Sequence, residues 1–172
     1  MILCSLNWMT VQFAAENVKE MIQQYRLIKQ CFLLCVTLHI RNSVNYILAS
    51  ARAVNAMGGN RIIVHTGSCG KITREHALEL AKDTMKLAIN ALDEEGLSNI
   101  HICPETMGKV NQLGTLHEVL ELCKLDERLI PCIDFGHLNA RELGILKTKD
   151  DFEKIFTNIR DALGVHRLKT FH

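Results

Sequence analysis

No charge of one sign dominates this sequence: 20 Lys and Arg stand against 19 Asp and Glu, a formal net charge of +1. A global field drawing the chain to nucleic acid or an anionic membrane is thereby excluded, and affinity for a polyanion must come from local placement. Paired cysteines are lacking too. The seven, Cys4, Cys31, Cys35, Cys69, Cys103, Cys123 and Cys132, are odd in number, form no CxxC and lie partly in apolar runs. That pattern points to reduced, packed thiols and away from a disulfide framework. Long apolar runs are absent: Cys31 to Ile40 is interrupted by Thr37 and His39 and falls far short of the roughly 20 residues that cross a bilayer. The opening MILCSLNWMTVQFAAEN has no basic n-region before a long apolar stretch, so no signal peptide is expected. No linker, internal repeat or low-complexity segment breaks the chain. These absences lead to the expectation of a soluble, cytoplasmic monomer, with residues 1–172 forming one domain and no membrane association.

What is present is ordinary globular material, 48% hydrophobic and 23% charged, enough for one core. Two kinds of segment alternate. Short apolar runs give strand candidates at Cys31 to His39, Arg61 to Thr66, Ile100 to Pro104, Leu129 to Asp134 and Arg167 to His172. Three- and four-residue apolar spacing gives helix candidates at Val11 to Ile28, Ser43 to Met57, Arg74 to Glu94, Leu116 to Cys123 and Lys149 to Leu163. Gly58, Gly59, Gly96 and Gly164 fall just beyond three of these helices, where a left-handed residue is wanted. Strands apolar throughout, alternating with helices, specify an α/β fold with a parallel sheet. About five strands are too few to close an eight-stranded barrel. An open doubly wound sheet and a truncated barrel both remain open on composition.

The polar residues at the strand ends carry the chemistry. IIVHTGS puts His65 at the C-terminal edge of its strand, HICPET puts Glu105 there, PCIDFGH puts Asp134 and His137 there, and RLKTFH ends on His172. In a parallel α/β fold these ends share one rim, the face that carries active sites. A single His or Asp at a strand end is more often a loop cap than a ligand, but agreement among four successive strands points to a metal. Imidazole and carboxylate donors without cysteine suit zinc or manganese in an open, catalytic site. His76, His101, His117 and His166 fall outside this pattern and are read as solvated or packing residues. Glycine-bearing stretches follow His65 and Glu105 directly, Gly67 to Lys71 and Met107 to Gly114. Their amides, with Lys71, Lys109, Asn111 and Gln112, are candidate phosphate contacts. Cys69, glycine-flanked but without a positioned base, is not read as a nucleophile.

SVNYILASARAVNAMGGNRIIVHTGS, ICPETMGKVNQLGTLHEVLELC, CIDFGHLNARELG and RLKTFH resemble consecutive segments of the endonuclease IV family of apurinic/apyrimidinic endonucleases, a branch of the xylose-isomerase-like barrels. The resemblance covers about residues 42 to 172, with a weaker echo in FAAENVKEMIQQY. It implies a partial parallel (β/α) TIM-type barrel lacking N- and C-terminal barrel segments, with residues 1–41 divergent from the family pattern. It also implies three Zn2+ ions at the rim and hydrolysis of the phosphodiester on the 5′ side of an abasic site in double-stranded DNA. On this resemblance His65 binds the first zinc, Glu105 bridges the first and second, Asp134 and His172 bind the second, and His137 binds the third. Clustered zinc ions make water a nucleophile near neutral pH and neutralise charge on a phosphoryl group. His39 ends a strand where the family places a further ligand, but its neighbours differ from that motif. The missing segments remove expected ligands and loops, so little or no cleavage is expected from residues 1–172 alone. The alternatives are a metal-dependent sugar isomerase or epimerase on the related barrel, and an inactive remnant.

Overall fold

The computed structural model describes residues 2–3 and 40–169. The expected Val11 to Ile28 helix, the Cys31 to His39 strand and His172 lie outside them. The elements run β1 (Ile2–Leu3), α1 (Ile40–Ala56), β2 (Arg61–Val64), α2 (Arg74–Glu94), β3 (His101–Pro104), α3 (Leu116–Cys123), α4 (Phe135–Arg141), α5 (Lys149–Leu163) and a 3-10 turn, Val165–Lys169. β2 and β3 pair in parallel, Arg61 opposite His101 through Val64 opposite Pro104. The segment after α3 runs parallel to β3 in turn. Ile130 N donates to Ile102 O at 2.9 Å, Cys132 N donates to Pro104 O at 2.9 Å, and Thr106 N donates to Cys132 O at 3.0 Å. Pro131, which has no N–H to give, falls between these bonding residues and costs this ladder nothing.

Two expectations need correction. The first described strand, Ile2–Leu3, pairs antiparallel with β2, so the sheet is mixed although its later members are parallel. The run from Arg167 is a 3-10 turn up to Lys169 and not a strand. Gly164 ends α5 at φ 88°. The buried Arg167 guanidinium then donates to the carbonyls of Leu129 and Cys123, the latter at 3.4 Å. Satisfying that charge against two carbonyl oxygens draws the backbone beneath the neighbouring segment.

The helices start where the sequence supplies acceptors for their first amides. Thr73 caps α2, accepting from His76 N at 3.3 Å. At α3, Thr115 Oγ1 accepts from Glu118 N at 3.2 Å while Glu118 accepts from Thr115 N at 2.9 Å, a reciprocal capping box. Asp151 accepts from the Thr148 hydroxyl and from the amides of Thr148 and Lys147 at the start of α5, and these bonds, the hydroxyl's first, hold its carboxyl well below the usual range. α1 and α2 pack together through small buried residues, Ala51, Ala77, Ala81 and Ala88, which let their axes approach.

Strand periodicity of two divides the sheet into two faces. Ile62, Val64, Ile102 and Leu129 enter the main core beneath α1 and α2. Ile63, Cys103, Ile130 and Cys132 form a separate buried cluster. Complete burial of a side chain such as Ile62 or Leu92 contributes about 2–3 kcal/mol. A third cluster joins Leu120, Ile133, Leu138, Ile155 and Ile159, binding α4 and α5 to α3. No described helix is long and apolar enough to cross a membrane.

Candidate metal centre

Extending the same alternation past the strand ends predicts the site. If Ile63, Cys103 and Cys132 share one face, then His65, Glu105 and Asp134, two residues further on each segment, share it as well. They stand at the C-terminal ends of three neighbouring parallel segments. His65 and Glu105 are both buried, with only 1% and 7% of their side chains exposed, and His65 Nε2 lies against Glu105 Oε2. The other oxygen, Oε1, is 3.6 Å from His137 Nδ1. One carboxylate is thus shared between two imidazoles.

Asp134 ends its segment and also caps α4, its Oδ1 accepting from His137 N at 2.7 Å. The turn so formed brings His137 Nδ1 to 3.4 Å from Asp134 Oδ2. The His137 ring is further fixed by Thr106 O, 2.9 Å from Nδ1. A carbonyl oxygen only accepts, so this contact calls for a proton on Nδ1. Sequence reasoning placed Asp134 and His137 at a strand end and did not foresee α4. Among the site's supports it also missed Thr106, although Thr follows Glu directly in the PET string.

Glu105, Asp134 and His137 offer ligand atoms that all lie within 4.8 Å of one another. Glu105 Oε2 is buried against His65 Nε2, and a carboxylate held away from water calls for a compensating positive charge. Two carboxylates also balance the charge of a divalent ion. The donor set is oxygen and nitrogen, hard enough for zinc, manganese or magnesium. The neighbouring thiols do not compete. Burial pushes Cys103 and Cys132 up to about 12, with the charge of Glu105 adding to the effect at Cys132, so neither supplies a thiolate at neutral pH. The residues present therefore fit a divalent metal ion.

The two loops after His65 and Glu105 pair with each other. Cys69 N donates to Asn111 O at 2.9 Å, Leu113 N donates to Gly67 O at 3.0 Å, and Ser68 bridges Gln112 in antiparallel sense. The amides of Cys69 and Leu113, within the stretches foreseen as a phosphate cradle, are therefore engaged within the protein. Lys71, Lys109 and Asn111 are exposed, whereas Gln112 is half-buried with its Oε1 enclosed. Two arginines hold the second loop by its carbonyls. Arg141 Nη1 reaches Met107 O at 3.0 Å, Lys109 O at 2.9 Å and Gln112 O at 3.2 Å, and Arg74 Nη2 reaches Gln112 O at 3.1 Å. Of the other histidines, His76, His117 and His166 are exposed. Burial, then Arg61, Arg128 and Arg167, hold His101 below the usual imidazole range.

Together these features define a mixed α/β protein whose parallel strands end in a cluster of acids and imidazoles able to hold a metal. Residues 5–172 match the xylose isomerase-like TIM barrel family, and the chain belongs to that family. An uncharacterized protein of Methanocaldococcus jannaschii is 32% identical over 133 residues, 77% of this chain and 48% of that protein. A probable endonuclease 4 of Staphylococcus carnosus is 27% identical over 136 residues, 75% of this chain and 43% of that protein. The chain spans about half the length of these curated relatives.

Proposed function

We propose that this site serves zinc-dependent hydrolysis of the phosphodiester at abasic sites in double-stranded DNA, the chemistry of base excision repair. The observation that carries the reading is the shared carboxylate: Glu105 presents Oε2 to His65 and Oε1 to His137, with Asp134 beside it. A carboxylate so placed would offer oxygen donors to a divalent ion held with Asp134 and His137. On this reading His65, Glu105, Asp134, His137 and His172 are the ligands. Divalent ions held by these residues would supply a water nucleophile near neutral pH and offset charge on a phosphodiester. The chain's own residues orient the donors, exclude water from the buried side of the site and carry Lys71 and Lys109 on the loops beside it. The similarity to a probable endonuclease 4 supports DNA as the substrate. The Cys103 and Cys132 thiols, held protonated, do not act as nucleophiles in the scheme.

Because the chain spans about half the length of its relatives, ligand recognition is the deciding readout. The cobalt-loaded chain is titrated with a duplex oligonucleotide carrying one abasic analogue and, separately, with an aldose. The reading predicts that the duplex perturbs the cobalt spectrum and that Glu105→Gln abolishes both this response and any incision. A response to the aldose alone would assign the site to sugar isomerisation.

A further inference from the structure

We infer that Thr106 is the positioning residue of the metal centre, the group that ties Glu105 to Asp134 and His137. Thr106 is completely buried and adjoins Glu105 through the peptide bond. Its hydroxyl accepts from Asp134 N at 2.9 Å and donates to Asp134 O at 3.2 Å. Its amide donates to Cys132 O at 3.0 Å, and its carbonyl accepts from His137 Nδ1 at 2.9 Å. One residue thus touches every arm of the triad by a different group.

A buried threonine whose hydroxyl only capped a local carbonyl would be ordinary core. Thr84 is such a case: it is buried in α2, and its Oγ1 donates to Leu80 O at 2.8 Å. Thr106 differs because its hydroxyl bonds both backbone groups of a single residue, and that residue is at once a candidate ligand and the cap of α4. Rotation about the Asp134 backbone would move its carboxylate and swing the start of α4, which carries His137. The hydroxyl blocks that rotation, and the carbonyl fixes the orientation of the imidazole. Thr106 touches no metal in this scheme and acts through the ligands.

The inference rests on the metal reading above, and the test separates the two. Cobalt affinity and the cobalt absorption spectrum are measured on the 172-residue chain and on Thr106→Val, Thr106→Ser and Thr84→Val, with circular dichroism as the check on folding. Removal of an outer hydrogen-bond partner predicts about a 10- to 100-fold loss of affinity and an altered spectrum in Thr106→Val. Thr106→Ser is expected to restore both towards the parent, and Thr84→Val to leave both unchanged. If Thr106→Val does not fold, 15N spectra of the parent chain decide: His137 keeps its Nδ1 proton when zinc binds. A parent chain that takes up no cobalt overturns the metal reading and this inference together. Parent-like binding and spectrum in a folded Thr106→Val, or coordination through His137 Nδ1, overturns the inference alone.

Discussion

His65 and Glu105 stand side by side one residue past the ends of paired parallel strands, in the register set by Val64 opposite Pro104, with their side chains in contact. Burying an acid against an imidazole, instead of two apolar groups, is costly unless the pair serves a purpose. On the proposed reading that purpose is metal binding.

Glu105→Gln keeps the shape of the side chain and removes its charge. Metal affinity should fall by at least about tenfold, while stability without metal changes by no more than about 1 kcal/mol. Calorimetric zinc titration and urea denaturation check the two halves separately. Unchanged zinc affinity would remove Glu105 from the ligand set.

Arg141→Ala removes donors from the carbonyls of Met107, Lys109, Val110 and Gln112. The expected cost is about 1–3 kcal/mol, with faster hydrogen exchange at the amides of Gln112 and Leu113. Arg141→Lys should recover little, because one ammonium cannot reproduce a planar fork spread over several carbonyls.

Much of this was legible before the structure. The expected limits of α2, α3 and α5 coincide with those found, and α1 is displaced by only a few residues, because apolar spacing and capping residues agree there. β2 and β3 were legible as unbroken apolar runs. α4 was not, because Asp134 is read as the end of a strand when it also caps a helix. The Arg167 run carries the composition of a strand, but the buried guanidinium dictates a turn. His65, Glu105 and Asp134 were legible as polar residues just past apolar runs, whereas His137 lies within α4 and His172 outside the described residues. The hydroxyl and arginine bonds that hold them depend on contacts between distant segments, which no local pattern encodes.

Gly114→Ala should be severely destabilising. At φ 135° an added Cβ would lie 2.6 Å from Met107 Cγ and 2.7 Å from Met107 N, so a cost of about 3 kcal/mol or more is expected. Gly96→Ala, at φ 68° with open space around it, should cost about 1 kcal/mol. Denaturant midpoints of the two variants make the comparison.

Alkaline pH should weaken the fold. Cys103 and Cys132 are raised from 9.0 to about 12 in the folded chain, so the unfolded chain loses these protons first. Stability contributed by the protonated thiols is therefore complete below pH 9 and declines as pH rises towards 12. Urea denaturation at pH 8, 9.5 and 10.5 should show the decline, and a Cys103→Val, Cys132→Val double variant should lessen it, with the remainder from Cys123, which burial also raises. A slope unchanged in the double variant would assign the pH dependence to other groups.

The central claim is that Glu105, Asp134 and His137 hold a divalent metal. Anomalous diffraction at the zinc edge, from crystals of the chain grown with zinc, tests it most directly. The predicted result is a peak about 2 Å from a Glu105 or Asp134 oxygen, lost in Glu105→Gln. Peaks confined to the exposed His76, His117 and His166, with none among the triad, would contradict the account.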